Sequence, residues 1–160
     1  MVTVYLALGS NVGSPEKNIE QAIDLLHTKL VDLSEAPKYI TKAVDYTKQP
    51  NFINTALRAK TNLTPEELLK FIDEIENKIG RIKRFRWGPR EIDVDIIFYG
   101  NKIYKTAALS IPHPRFHERD FVLKPLVDLD RSHVDPLSLK TVEELLDKLD
   151  SDQLSIIRRV

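Results

Sequence analysis

The chain has 160 residues, 42% hydrophobic and 30% charged, which is enough for one packed core and short for two. Its 24 Lys and Arg offset its 24 Asp and Glu, so no global field recruits nucleic acid or an acidic membrane, and any positive patch must be local. The absence of cysteine removes disulfides, thiolate catalysis and thiolate metal sites.

Val2, Val4, Leu6 and Leu8 alternate up to a Gly-Ser-Asn turn and predict a first strand. Ser14 before Pro15 reads as a helix cap and first turn, and Ile19, Ala22, Ile23, Leu26 and Leu30 recur at helical spacing. Two β-rich stretches, about 38–46 and 52–60, follow as an antiparallel pair. Thr64, Pro65 and Glu67 form a capping box ahead of a second apolar stripe, Leu68, Leu69, Ile72, Ile75 and Ile79, which Gly80 ends. A strand over 92–99 comes next, with Gly100-Asn101 suggesting a hairpin into a short strand around Lys102–Lys105. This order is the α+β, ferredoxin-like β-α-β-β-α-β core, an antiparallel sheet with helices packed on it. Residues 106–120 read as a loop, and helices near Val122–Leu129 and Thr141–Leu149 form a C-terminal helical extension. The expectation is one domain over 1–160. MVTVYLALGSN shows no basic leader and nothing reaches membrane-spanning length, so the cytoplasm is the expected location.

The strand over 92–99 raises a chemical question. Period two places Ile92, Val94, Ile96 and Phe98 on one side and Asp93, Asp95, Ile97 and Tyr99 on the other, so both carboxylates point the same way. At roughly 3.3 Å per residue their backbones stand about 6.6 Å apart, a spacing that can hold one or two cations. All-oxygen ligation favours Mg²⁺ or Mn²⁺, with water and substrate phosphate completing the shell. The plainer alternative is a salt-bridged pair, because Arg81, Lys83, Arg84, Arg86 and Arg90 lie just upstream. That basic loop also carries Phe85 and Trp87, which ordinary solvation does not want; a lid folding over a ligand explains them, and so does an RNA-binding surface. His113 and His117 are four apart, but two prolines flank His113 and the HExxH pattern is absent, which argues against zinc; Arg115 and Arg119 make this stretch a second cationic loop. GSNVGS has neither the Lys-Ser/Thr of a P-loop nor a dinucleotide fingerprint, so ATP binding here would rest on metal and scattered arginines.

Four stretches together, LALGSNVGSP, QPNFIN at 49–54, GRIKRFRWGPREIDVDIIFYG at 80–100 and IPHPRFHERDFVLKPL at 111–126, resemble the 6-hydroxymethyl-7,8-dihydropterin pyrophosphokinase family of folate biosynthesis. The resemblance implies transfer of the terminal pyrophosphate of MgATP to the hydroxymethyl group of a reduced pterin, with AMP leaving. It implies that Asp93 and Asp95 hold two Mg²⁺ ions, and that Arg81, Lys83, Trp87, Arg90, His113 and Arg119 meet the nucleotide, Arg81, Arg90 and Asp95 acting in catalysis. Phe52 and Phe121 would sandwich the pterin, with Thr41, Val44, Asn54 and Trp87 around its edges. The implied partners are small molecules, ATP and reduced pterin, with no nucleic acid and no membrane, and a monomer is expected. KAVDYT after Thr41 departs from the family pattern, as does Lys83 where arginine is common. The competing readings are a small two-metal nuclease and a ferredoxin-like RNA binder; the RNA-recognition signature is missing.

Overall fold

The computed structural model describes residues 1–80 and 84–160, and Arg81 and Lys83 therefore lie outside the described residues. The elements in chain order are β1 (Val2–Ser10), α1 (Pro15–Leu26), β2 (Val31–Glu35), β3 (Tyr39–Thr41), β4 (Phe52–Thr61), α2 (Pro65–Ile79), β5 (Asp93–Tyr99), β6 (Tyr104–Lys105), β7 (Ser110–Ile111), α3 (Asp120–Asp130), α4 (Val142–Asp147) and β8 (Ile156–Arg159). The main sheet runs β5-β1-β4-β3-β8 and its pairs are antiparallel, with β2 lying along the same side of β4 as β3. This is the ferredoxin-like order, extended by one C-terminal strand.

The ends of α2 follow the sequence signals closely, whereas α1 stops at Leu26 and leaves Leu30 of its expected stripe beyond the helix, ahead of β2, a strand the sequence reading does not include. At α2 both halves of the capping box form, and Gly80 closes the helix at φ 94°, a conformation that side chains disfavour. At α1 Ser14 makes no side-chain capping bond, so that expectation is corrected: Pro15 opens the helix and the Ser14 carbonyl accepts from Asn18.

The sheet is covered on both faces. Leu6, Leu8, Ile19, Leu26, Leu68, Ile72, Ile75, Val94 and Ile96 fill the layer under α1 and α2, and Tyr5, Ala7, Ala56, Phe98, Phe116, Leu123, Leu126 and Leu145 fill the layer under α3 and α4. Each fully buried aliphatic side chain here contributes about 1.5–3 kcal/mol of transfer free energy.

Several elements differ from expectation for local reasons. Strict period two fails in β5: Leu6 pairs with Ile96 but Tyr5 with Phe98, so Ile97 is a bulge. Beyond it Phe98 turns to the α3 layer and Tyr99 to the α1/α2 layer, the reverse of simple alternation. Asp93 and Asp95 precede the bulge and keep their common face. The 38–46 strand shrinks to Tyr39–Thr41, because the Lys42 amide donates to Ser155 and Asp45 takes φ 64°. The short strand after Gly100 does not pair with β5; Tyr104–Lys105 pairs with Ser110–Ile111, inside the expected loop. That loop also holds a 3-10 turn at Phe116–Glu118, and α3 begins at Asp120. No helix among the described residues is long and apolar enough to cross a membrane.

Candidate active site

A cleft, open at its mouth, lies on the α3 side of the sheet. Small residues on the central strand make room for it. Ala7 stands beside Asp95, and Gly9 stands between Asp93 and Asn54. A Cβ on Gly9 would come within 2.4 Å of the Asn54 Oδ1, so only glycine allows this approach. Asn54 is nearly buried, and its amide donates to the Thr41 Oγ1 at 2.8 Å, which holds the amide plane at the cleft wall. Phe52 from the start of β4 and Phe121 from the first turn of α3 line the same cavity, as do Thr41, Val44, Trp87, Arg90, Asp93, Asp95 and Arg119.

His113 stands beside Asp95, outside the lining of the cleft, its Nε2 4.0 Å from the Asp95 Oδ2. Its Nδ1 accepts a hydrogen bond from the Arg115 amide at 3.1 Å, which assigns the proton of the neutral ring to Nε2. Burial, reinforced by the Arg119 charge and opposed by Asp93, pushes the imidazole down to about 4, so the ring is neutral near pH 7 and acts as a donor without a charge.

The cationic side of the cleft is built around one indole. The guanidinium groups of Arg86 and Arg115 each lie 4.7 Å from the Trp87 ring centroid and that of Arg119 lies 5.4 Å away, with Arg119 also 5.6 Å from Phe121. Burial pulls Arg119 down from its ordinary value, with Asp95, Asp45 and Asp93 opposing, yet a guanidinium stays charged. Its Nε is buried and has no acceptor among the described residues. An anionic oxygen entering the cleft would satisfy it.

Trp87 is held in this position by contacts that sequence reasoning missed. Its φ is +65°, an unfavourable region for a bulky residue that costs on the order of 1–3 kcal/mol. Its carbonyl accepts from the Gln49 amide at 2.8 Å. The Gln49 Oε1 accepts from Asn11 at 2.9 Å, Asn11 also donates to the Pro50 carbonyl, and its Oδ1 accepts from the Arg90 amide at 2.8 Å. Asn11, only 4% exposed, thus ties three loops together. Both residues lie in stretches that carry the family resemblance, but a role in joining loops has no local pattern that spacing could reveal. Arg90 lines the cleft, while one terminal nitrogen of its guanidinium is engaged by the Gly88 and Pro89 carbonyls. Val44 lines the cleft, and its departing loop is tied down by Arg115 on Asp45 at 3.4 Å and by an edge-on contact of Tyr46 with Phe85 at 4.8 Å.

Residues 5–131 match the family model described as 7,8-dihydro-6-hydroxymethylpterin-pyrophosphokinase. The chain is 42% identical over 144 residues to the 2-amino-4-hydroxy-6-hydroxymethyldihydropteridine pyrophosphokinase of Aquifex aeolicus, covering 90% of each. It is 43% identical over 127 residues to the protein of the same name from Bacillus subtilis, covering 78% of this chain and 76% of that one. It is 42% identical over 133 residues to a mitochondrial folate synthesis bifunctional protein of Pisum sativum, of which it spans 26%. The fold matches the HPPK-DHPS crystal structure of Plasmodium falciparum with a TM-score of 0.72 over 92% of this chain and 43% of that one, at 16% identity.

Proposed function

The chain belongs to the 7,8-dihydro-6-hydroxymethylpterin-pyrophosphokinase family, a family of folate biosynthesis, and from that premise we propose that it transfers pyrophosphate from MgATP to the hydroxymethyl group of 6-hydroxymethyl-7,8-dihydropterin, releasing AMP. The observation that carries the reading is a single cavity with two chemistries. Phe52, Phe121, Thr41 and Asn54 suit a flat heteroaromatic ring with polar edges, while Asp93, Asp95 and Arg119 suit a polyphosphate with its cations.

The donor set fits magnesium. Two carboxylates share one face of β5, and no cluster of three His, Cys, Asp or Glu forms among the described residues, so the shell must be completed by water and phosphate oxygens. Asp93 and Asp95 would hold two Mg²⁺ ions, whose chemistry is neutralisation of phosphate charge. The other roles belong to the chain itself. Arg119 offers its unspent Nε and the neutral His113 its Nε2 proton to phosphate oxygens, and Trp87 screens the site from water. Arg81 and Lys83 are proposed as further nucleotide contacts on the strength of their motif, and Arg81 and Arg90 as stabilisers of developing charge. The pterin oxygen attacks the β-phosphorus in line, the bond from that phosphorus to the α-phosphate oxygen breaks, AMP leaves with the oxygen, and the hydroxyl proton passes to solvent. The proposal extends to one domain over 1–160 working as a cytoplasmic monomer on small molecules, without nucleic acid or membrane.

Quenched mixtures of protein, ATP, Mg²⁺ and reduced pterin, resolved by chromatography, should show AMP formed one for one with pterin diphosphate and only when pterin is present. ADP as the sole nucleotide product refutes pyrophosphoryl transfer, and nucleotide hydrolysis at equal rate without pterin marks a hydrolase. Gly9→Ala checks the pterin half of the cavity. The added methyl displaces the Asn54 amide from Thr41, so reduced-pterin affinity should fall by about tenfold or more while a non-hydrolysable ATP analogue is little affected. Calorimetric titration of both ligands decides this; an unchanged pterin affinity removes Asn54 from the site.

A further inference from the structure

Asp120 has no part in the reading above, yet it is 2% exposed, against 3% for Asp135 and 5% for Glu76, the other carboxylates enclosed among the described residues. Its neighbours in sequence, Arg119 and Phe121, line the cleft. Its own carboxylate is directed to the C-terminal segment. The Ser155 Oγ donates to Oδ1 at 2.5 Å, and the amides of Ser155 and Ile156 donate to Oδ2 at 2.8 and 3.0 Å. Burying a carboxylate is costly unless several donors converge on it, and here three do.

The same segment also reaches the end of β3. The Ser155 carbonyl accepts from the Lys42 amide at 2.8 Å, and β8 continues by pairing Ile156 with Thr41 and Arg158 with Ile40. Thr41 and Lys42 line the same cleft as Phe121, and Thr41 holds the Asn54 amide. A strap of chain more than 30 residues from either wall in sequence therefore joins the aromatic wall at the start of α3 to the polar edge on β3. A hydrophobic filler could occupy the position of Asp120 with less desolvation, but it could not fix the distance between the two walls.

We propose that Asp120 is a positioning residue for the pterin side of the cleft: through Ser155 its carboxylate sets the spacing between Phe121 and the Thr41–Asn54 edge. The inference rests on the reading of this cleft as a pterin site.

Asp120→Asn preserves volume but replaces the charged acceptor by an amide, whose NH2 group meets the Ser155 hydroxyl only if that hydroxyl turns from donor to acceptor, and Ser155→Ala removes only the hydroxyl. Reduced pterin is titrated by calorimetry into each protein saturated with a non-hydrolysable ATP analogue, and the analogue is titrated alone. The expected result is a pterin Kd raised about tenfold in Asp120→Asn and about threefold in Ser155→Ala, analogue Kd within about twofold of wild type, and faster hydrogen exchange at the Lys42 amide. In kinetics the KM for pterin should rise more than kcat falls. Adding Ser155→Ala to Asp120→Asn should cost little more, since both act on one bridge. An unchanged pterin Kd overturns the proposal, as does equal weakening of both ligands with a fall in Tm, which marks a merely structural role. Should Asp120→Asn fail to fold, Ser155→Ala decides by the same criteria. A folded wild type that binds the ATP analogue and no reduced pterin overturns the cleft reading, and the proposal with it.

Discussion

Asp95→Ala is expected to lower turnover in Mg²⁺ by about a thousandfold or more while leaving the fold in place. Asp95 stands on β5 beside Ala7, half-buried and facing the cleft, and belongs to neither apolar cluster, so the substitution leaves no cavity in the packed layers. What it removes is one of two oxygen donors that share a face. No cluster of three His, Cys, Asp or Glu forms among the described residues, so the substitution takes away one of the two carboxylates proposed to hold the ions. Loss of several kcal/mol of charge stabilisation at a phosphoryl centre corresponds to about three decades in rate. Single-turnover measurement at saturating ATP and pterin, paired with a thermal melt, separates the two effects. A wild-type rate in Asp95→Ala would sink the metal assignment.

Arg119→Ala should slow the same single-turnover step by about a hundredfold, and Arg119→Lys should recover only part of it. The guanidinium lies over both Trp87 and Phe121, between the aromatic and anionic halves of the cleft, and carries a buried Nε with no acceptor among the described residues. A lysine restores the charge but neither the planar fork nor the stacking. If Arg119→Lys matches wild type, the residue acts as a point charge alone. If Arg119→Ala changes only ATP affinity, its contact is equally strong in the ground state and contributes nothing specific to the transition state.

Those expectations depend on features that differ in how far they could be read from residues alone. The capping boxes at Thr64 and Thr141 are local, made by side chains three positions apart, and both form as their spacing implies. The common face of Asp93 and Asp95 is likewise local, because two residues on a strand need no knowledge of the rest of the sheet. The bulge at Ile97 is different: it answers to the partner strand, and no pattern within DVDIIFY marks it. The same holds for β8, a four-residue strand with three exposed positions whose existence depends on the edge that β3 offers. Asp120 illustrates the limit most clearly, since a charged residue beside Arg119 in HERDF reads as part of a cationic loop and becomes a buried anchor only once residue 155 arrives. Phe52 and Asn54 lie in one stretch and Arg119 and Phe121 in another; that they line one cleft follows from no spacing within either, and only the family resemblance of the motifs taken together implies it.

The chain contains one tryptophan, and it is the indole ringed by Arg86, Arg115 and Arg119. The protein therefore carries a built-in optical probe with no second indole to dilute its signal. Emission excited at the red edge of indole absorbance comes from the loop that faces the cleft, and its colour and intensity follow the solvent and charge around that one ring. Stopped-flow traces of unlabelled protein can thus time the arrival of a ligand beside this ring without any introduced dye.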